Sequence, residues 1–223
     1  MSGNVILARV IAIAIGYVCG LFLTGFFYSK SKNVDIRTMG SKNAGTTNTL
    51  RVLGFKAGAV TFAGDVLKTA VAIVLVRLLF GSGFLGCTEI TKVLELYAGL
   101  GAILGHNFPF YMHFKGGKGI ACTAGILLFF CPFEAPISIG LFLIVLALTR
   151  YVSLGSILLV ISFFIQTVIF GNLGWFGESE AAIMEIDILA AVIMVMGIVR
   201  HKANIGRLLS GTENKFSIKV KKQ

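Results

Sequence analysis

Long apolar runs restrict the fold of this chain more than any other feature. Seven of them follow one another, separated by polar segments, at about residues 5–27, 58–80, 93–110, 119–131, 136–148, 152–170 and 183–199. About 20 apolar residues are enough for one helix to cross a bilayer, and over that length in lipid only a helix satisfies its own backbone. The pattern therefore predicts an all-α integral membrane protein with about seven transmembrane helices.

The composition supports the same interpretation. Of the 223 residues, 56% are hydrophobic and 13% are charged, whereas a soluble domain has about 25% charged residues. We therefore expect residues 1–223 to form a single membrane-embedded domain. The four cysteines have neither metal-ligand nor Cys-x-x-Cys spacing, and we expect no metal and no cofactor. The first run lacks a basic segment before it, so we expect a retained span and not a cleaved signal.

The distribution of basic residues predicts an orientation. With seven spans and an outer N-terminus, most of the 20 Lys and Arg residues fall in the inner loops and the inner tail. Because cytoplasmic loops carry the excess of Lys and Arg, we predict an outer N-terminus and a cytoplasmic C-terminus. The net charge of +10 then reflects topology and anionic partners, and we do not expect nucleic acid to be one of them.

Three polar clusters stand out, at residues 40–51, 105–119 and 201–215. Each combines glycines, amides or hydroxyls with cations, which are the groups that bind phosphate. The alternatives are an ordinary connector, a flexible basic loop and a tail that binds anionic lipid. The clusters follow the first, third and seventh runs, all odd-numbered, so the topology predicts that they meet on one face as a site for a polyanion.

Two ionisable residues lie inside the second run. Asp65 and Lys68 are three positions apart, so they share a helix face. Ionisable residues within a span are functional candidates. An internal ion pair that holds the helices together is an equally good interpretation.

The residue types also limit the chemistry. The sequence has no Gly-x-Ser-x-Gly nucleophile motif, and none of the three histidines has an aspartate five positions later. A site rich in anion binders and poor in bases favours a reaction between two phosphate-bearing substrates, driven by positioning and charge neutralisation. A transporter or flippase for phosphorylated solutes is the alternative, although it predicts inverted repeats that the sequence lacks. A non-catalytic lipid-binding scaffold would need only the basic tail.

The three clusters resemble the motifs of the bacterial acyl-phosphate-dependent glycerol-3-phosphate acyltransferase family. Residues 40–51 match Gly-Ser-Gly-Asn-x-Gly-Ala-Thr-Asn-x-x-Arg, except that Lys42 replaces a Gly and Thr46 replaces an Ala. Residues 105–109 and 114–119 match the second motif in full. The third motif and the Asp-x-x-Lys of the second span are matched at His201, Asn204, Ile205, Arg207, Leu208, Gly211, Glu213, Asp65 and Lys68.

The resemblance covers about residues 4 to 215 and implies a reaction. A fatty acyl group would pass from a long-chain acyl phosphate to the 1-hydroxyl of glycerol 3-phosphate. The products would be 1-acyl-glycerol 3-phosphate (lysophosphatidic acid) and phosphate, in the first step of phospholipid synthesis. The protein would lie among the lipids of the bacterial inner (cell) membrane, with its active site on the cytoplasmic side. A functional link to an enzyme that produces acyl phosphate would follow.

A mechanistic hypothesis for this reaction assigns roles to the residues of each cluster. The predicted catalytic residues are His106, His201, Asn204 and Lys118. The predicted substrate-binding residues are Ser41, Asn43, Thr47, Asn48, Arg51, Lys115, Gly116, Gly117, Arg207 and Glu213. We expect the first cluster to hold one phosphate and the Lys-Gly-Gly-Lys segment the other. His106 either polarises the acyl carbonyl or supports its loop, and a phosphate oxygen can take the hydroxyl proton.

Overall fold

The computed structural model of the chain describes residues 2–216, and these residues form ten α-helices and no β-strand. Two short 3₁₀ turns, at Thr88–Ile90 and Phe110–Met112, stand on either side of the fifth helix. The helices are α1 (Ser2–Gly20), α2 (Thr24–Lys30), α3 (Thr46–Leu53), α4 (Phe55–Gly81), α5 (Thr91–Asn107), α6 (Ile120–Phe129), α7 (Ala135–Thr149), α8 (Val152–Asn172), α9 (Glu180–Arg200) and α10 (Lys202–Leu209).

The all-helical membrane fold predicted from the apolar runs is confirmed, and every run carries a helix. Four helical stretches are long and apolar enough to cross a bilayer: Asn4–Lys30, Phe55–Gly81, Val152–Asn172 and Glu180–Arg200. Helices α5, α6 and α7 are shorter, with 17, 10 and 15 residues. At 1.5 Å per residue, α6 extends for about half the thickness of the hydrocarbon core. The count of seven complete spans and the outer N-terminus therefore stay predictions.

The first apolar run, predicted as the span of residues 5–27, lies within the candidate span Asn4–Lys30 but forms two helices and not one continuous helix. The helix breaks between α1 and α2, at residues 21–23. Two carbonyl groups that the break exposes accept hydrogen bonds from side chains. Tyr111 donates to the Leu21 carbonyl at 2.6 Å, and Lys68 donates to the Phe22 carbonyl at 3.0 Å. Because those carbonyls have partners, the break is tolerated inside an apolar environment.

Helices α1 and α5 pack with their backbones in direct contact. A Cβ atom at Gly16 would overlap the Ala98 carbonyl oxygen, and one at Gly105 would overlap that of Tyr17. Gly20 and Gly101 meet the facing backbone in the same way. Small residues spaced four apart are typical of close helix packing in membranes. This contact fixes the end of α5, where the second polar cluster begins.

Helix α5 lies at the centre of the bundle and contacts α1, α4, α6 and α9. One apolar cluster fills the space between α5, α6, α8 and α9, and a second joins α1, α4 and α5. A small third cluster, which includes Ile36 and Met112, supports the loops after α2 and α5. The apolar residues are thereby buried between helices, and the polar clusters are brought to one end of the bundle.

Candidate active site

A cavity of about 480 Å³ opens at the end of the bundle where α8 begins and α9 ends. All three polar clusters contribute to its walls. The predicted site residues that line it are Ser41, Asn43, Thr47, Asn48, Arg51, Asp65, His106, Lys118, His201, Asn204, Arg207 and Glu213. Lys68, Lys115, Gly116 and Gly117 do not line it. The structure therefore brings together most of the predicted residues, from segments far apart in the sequence.

The cavity is built for negative charge. Four cations line it: Arg51, Lys118, Arg200 and Arg207. Residues of the first turn of four helices, α3, α6, α8 and α10, also line it. A helix N-terminus carries free N–H groups and a partial positive charge, which favour a bound phosphate. Within residues 2–216 no group of three or more His, Cys, Asp or Glu residues is arranged to hold a metal ion.

Lys118 is the most buried cation in a chain of polar contacts. It donates to Asn204 Oδ1, and Asn204 Nδ2 donates to Glu213 Oε1 at 2.8 Å. Arg207 Nε holds the other carboxylate oxygen of Glu213 at 2.7 Å. Burial lowers the pKa of Lys118 to about 8, with Glu213 opposing the shift and nearby arginines adding to it. Lys118 is thus positioned by its neighbours, and its ammonium group loses its charge as the pH rises through about 8.

His201 follows α9 and is buried beside Lys118. Its Nδ1 lies 2.8 Å from the carbonyl oxygen of Gly197. A carbonyl only accepts, so Nδ1 carries the proton and Nε2 has the lone pair. Burial, and then the charge of Lys118, lower the pKa of His201 to about 4. His201 is therefore a neutral ring at pH 7 with an acceptor nitrogen.

The loop before α3 corrects the role predicted for Asn48. Its Nδ2 donates to the carbonyls of Ile36, Met39 and Asn43 at 3.0–3.3 Å, and its Oδ1 accepts from the Ser41 N–H at 2.7 Å. No polar atom of this amide is left for a phosphate. Asn48 instead folds the loop that carries Ser41, Thr47 and Arg51 to the cavity wall. Arg51, in contrast, makes no side-chain hydrogen bond to any residue that the structure describes.

The Gly-Gly pair also has a role different from the predicted one. The N–H groups of Gly116 and Gly117 donate to the carbonyls of Asn107 and His106 at 3.0 and 2.9 Å, so they cannot hold a phosphate. A Cβ atom at either glycine would overlap His106. The pair lets the loop pack on the end of α5. The free amides that face the cavity belong instead to the start of α6, which Gly119 begins with a φ of +81°.

Asp65 and Lys68 form the internal ion pair that the sequence permits. Lys68 Nζ lies 2.8 Å from Asp65 Oδ1 and 2.8 Å from His106 Nδ1. Both members of the pair are buried. Asp65 Oδ2 has no hydrogen-bond partner among the described residues. Asp65 thus lines the cavity directly, and Lys68 is connected to it through His106.

Sequence reasoning missed several residues of the cavity. Arg200 lines it and donates to the Gly117 carbonyl at 2.6 Å, which ties the end of α9 to the loop after α5. In the sequence this arginine is one charge of a basic tail. In the sequence, two hydroxyl residues at the start of an apolar run, Ser153 and Ser156, are the feature that could have indicated a contribution of α8 to the site. The other missed residues are Phe62, Ile120, Ala121, Phe142, Val152 and Phe216.

Residues 10–211 match the family model described as glycerol-3-phosphate acyltransferase. A relative of that name from Thermoanaerobacter sp. (strain X514) is 36% identical over 212 residues, which cover 95% of this chain and 97% of the relative. Another, from Alkaliphilus metalliredigens (strain QYMF), is 39% identical over 215 residues, covering 95% and 98%.

Two solved structures have a similar fold. One is PlsY (YgiH), an integral membrane glycerol 3-phosphate acyltransferase, in its glycerol 3-phosphate form, with a TM-score of 0.79 and 33% identity over 94% of this chain and 96% of the other. Its lysophosphatidic acid form gives a TM-score of 0.77 and 32% identity, with the same coverage of 94% and 96%. Motifs, fold and relatives agree, and the chain belongs to the glycerol-3-phosphate acyltransferase family of integral membrane enzymes.

Proposed function

We propose that this enzyme transfers a fatty acyl group from acyl phosphate to the 1-hydroxyl of glycerol 3-phosphate, giving lysophosphatidic acid and inorganic phosphate. The cavity carries the proposal, because four cations and four helix N-termini surround one space of about 480 Å³. Such a site suits two phosphate-bearing substrates. The solved relatives, in glycerol 3-phosphate and lysophosphatidic acid forms, support the acceptor and the product.

The two phosphates are proposed to bind on opposite walls. Arg51, with no side-chain partner among the described residues, grips one phosphate in bidentate fashion, helped by Ser41, Thr47 and the start of α3. Lys118 and the N–H groups at the start of α6 hold the other. Asn43 and Arg207 also line the cavity. Lys115 is exposed outside the cavity, and it attracts anions without touching them.

In the proposed mechanism, positioning of the substrates and neutralisation of their charge supply most of the rate enhancement. His201 Nε2 and Asn204 orient the hydroxyl of the acceptor. The hydroxyl oxygen attacks the carbonyl carbon of the acyl phosphate, and the bond from that carbon to the phosphate oxygen breaks. The hydroxyl proton passes to a phosphate oxygen, and inorganic phosphate leaves. A strong protein base is unnecessary because the phosphate is a good leaving group. His201, with a pKa of about 4, is too weak a base to serve as one.

The proposed setting is the bacterial inner membrane, with seven spans in one domain, the N-terminus outside and the cavity on the cytoplasmic side. Glycerol 3-phosphate is water-soluble and would enter from the cytoplasm. The acyl phosphate is amphiphilic and would reach the cavity with its chain among bilayer lipids. A functional link to an enzyme that produces acyl phosphate follows from this choice of donor.

The test is acyl transfer by the purified protein in detergent. Radiolabelled glycerol 3-phosphate is mixed, in parallel, with palmitoyl phosphate, palmitoyl-CoA or palmitoyl acyl carrier protein. We expect labelled lysophosphatidic acid from palmitoyl phosphate alone. Product from another donor would overturn the choice of acyl phosphate, and no product from protein that still binds glycerol 3-phosphate would favour a transporter.

Variants test the residue roles in the same assay. Arg51→Ala and Lys118→Ala remove cations that line the cavity, and each is expected to lower kcat/KM by about 10²-fold or more. Lys32→Ala is the matched control, since Lys32 is exposed and lies outside the cavity. Equal losses in all three variants would contradict the assignment.

A further inference from the structure

We infer that Asp65 and Lys68 are positioning residues that lock His106 into one tautomer, with a neutral Nε2–H donor facing the cavity. The inference rests on the proposed function, because it gives that donor a task in acyl transfer. The ion pair of the second span then positions His106, in addition to holding the helices together.

The hydrogen bonds of Lys68 determine its orientation. An ammonium group has three N–H donors and no acceptor. Lys68 Nζ has three acceptors within reach: Asp65 Oδ1 at 2.8 Å, His106 Nδ1 at 2.8 Å and the Phe22 carbonyl at 3.0 Å. Two of these contacts are hydrogen bonds and the contact with Asp65 is an ion pair. Together they hold the ammonium between α4, α5 and the break after α1.

The contact with Lys68 determines the tautomer of His106. Because the ammonium cannot accept a hydrogen bond, Nδ1 of His106 must be the acceptor. A protonated imidazole would place a second donor against the ammonium, so the ring is neutral and its one proton is on Nε2. Asp65 Oδ1 lies 3.6 Å from Nδ1, too far for a hydrogen bond. Asp65 thus acts on the ring through Lys68.

The Nε2 edge of His106 is the part of the ring that remains available. His106 lines the cavity, and Nε2 makes no hydrogen bond to any residue within the described part of the chain. Gly117 lies directly against Nε2, where any side chain would overlap it. The missing Cβ therefore leaves space beside an N–H donor at the cavity wall.

A neutral N–H donor suits the charge that develops during acyl transfer. As the hydroxyl attacks, the carbonyl oxygen of the acyl group becomes negative, and a fixed donor stabilises that charge. His106 cannot act as a base in this tautomer, because its lone pair is bonded to Lys68. The two cavity histidines are then complementary: His106 donates from Nε2, and His201 accepts at Nε2.

Nitrogen NMR measures the tautomer directly. The full-length protein is labelled with ¹⁵N-histidine in detergent, and a His106→Gln variant identifies the His106 signals among those of the three histidines. We expect His106 to show a proton on Nε2 and a bare Nδ1 at pH 7. A proton on Nδ1, or on both nitrogens, would overturn the inference even in a fully active enzyme.

A double variant tests whether the ion pair causes the lock. Asp65→Asn with Lys68→Met removes both charges, so that no unpaired charge stays buried. We expect a mixture of tautomers, and a fall in kcat of about 10- to 100-fold from the loss of one positioned donor, with KM for glycerol 3-phosphate changed less than about twofold. An unchanged tautomer in the folded double variant would overturn the role of the pair.

The opposite end of the same two helices provides a matched control. Arg77→Met with Glu95→Gln removes a second ion pair between α4 and α5, far from the cavity. We expect neither the His106 tautomer nor kcat to change. If the Asp65/Lys68 double variant does not fold, Lys68→Arg replaces it. The guanidinium of arginine also donates hydrogen bonds and accepts none, so this variant should retain the Nε2–H form of His106. A switch to the Nδ1–H form would refute the lock.

The two hypotheses fail separately. Wild-type protein with the Nε2–H tautomer that makes no lysophosphatidic acid from any donor would refute the proposed function. Wild-type protein that makes lysophosphatidic acid but carries the proton on Nδ1 would refute the inference alone.

Discussion

Helices α4 and α5 are joined by polar contacts near both ends, and the two ends differ. Far from the cavity, Arg77 holds both carboxylate oxygens of Glu95, at 2.6 and 2.9 Å, and Lys92 adds a contact at 3.4 Å. At the cavity, one carboxylate oxygen of Asp65 has no partner within the described residues, and the contacts end on His106.

The difference separates support from function. A network in which every polar atom has a partner can stabilise the helices but has nothing to offer a ligand. At the far end no buried side-chain atom of Arg77, Lys92 or Glu95 lacks a partner. The two cations also cap carbonyls at the C-terminal end of α6: Arg77 donates to Phe129, and Lys92 donates to Phe130. The cavity end leaves groups open where substrate would bind. The same pair of helices thus has a closed end and an open end.

The largest expected effect tests the closed end. Arg77→Met leaves the buried carboxylate of Glu95 with only Lys92. Because the Arg77 side chain itself is 43% exposed, we expect the free energy of unfolding to fall by up to about 3 kcal/mol, the upper end of the range for a buried group that loses a partner. The kcat of the folded protein should not change. Unfolding by SDS titration, together with steady-state kinetics, measures both. A variant with wild-type stability and reduced kcat would contradict the division of roles.

The second effect tests the open end. In Gly117→Ala, the new methyl group overlaps Nε2 of His106, so the ring or its loop must move. We expect kcat to fall about 10- to 100-fold, as for other displacements near 1 Å in an active site. Gly206→Ala is the control, because a Cβ there meets nothing within 4 Å. Similar kinetics for the two variants would show that the His106 edge is not used.

The third effect is a dependence on pH. The pKa of Lys118 is lowered to about 8, so its charge is present below that pH and is lost above it. Since kcat/KM reports the free enzyme, its value for glycerol 3-phosphate should fall roughly tenfold between pH 7 and pH 9. Lys118→Arg should remove the dependence, because arginine stays charged. A flat profile in the wild type would mean that this cation does not bind substrate.

The smallest effect concerns the loop of the open end. Lys42 has a left-handed backbone with φ of +59°, which costs a residue other than glycine about 1–2 kcal/mol. Lys42→Gly should therefore raise stability by up to about 1 kcal/mol, after the greater entropy of an unfolded glycine is subtracted. We expect unchanged kinetics, because Lys42 is exposed and does not line the cavity. A large loss of activity would place Lys42 in the site.

The sequence predicted the features that follow from the contrast between apolar and polar segments. Apolar runs located the helices, and the position of the polar clusters after odd-numbered runs predicted that they would meet on one face. The break at residues 21–23 could not be foreseen, because it depends on donors from Lys68 and Tyr111 on other elements. The short helices α3 and α10 were hidden in segments whose polarity resembles that of loops.

The roles predicted for single residues differ from the structure where a polar atom finds its partner inside the protein. Asn48 and the Gly-Gly pair have the right chemistry for phosphate, yet their hydrogen bonds are used by the backbone. Arg200 was missed for the opposite reason, since a positive charge at the end of a span is expected from topology alone. Residue type shows what a group can bind, and only the fold shows whether it is free to do so.

The backbone contact between α1 and α5 has a consequence for how this sequence can diverge. On one side of α1, Gly16 and Gly20 leave no volume for a side chain against α5. On the other side, Ile6 and Val10 are exposed, and any apolar side chain of similar size can replace them in lipid. The two faces of α1 should therefore accept substitutions at different rates during evolution. The face against α5 should change very little, and the face toward lipid should change with the lipid composition of the membrane.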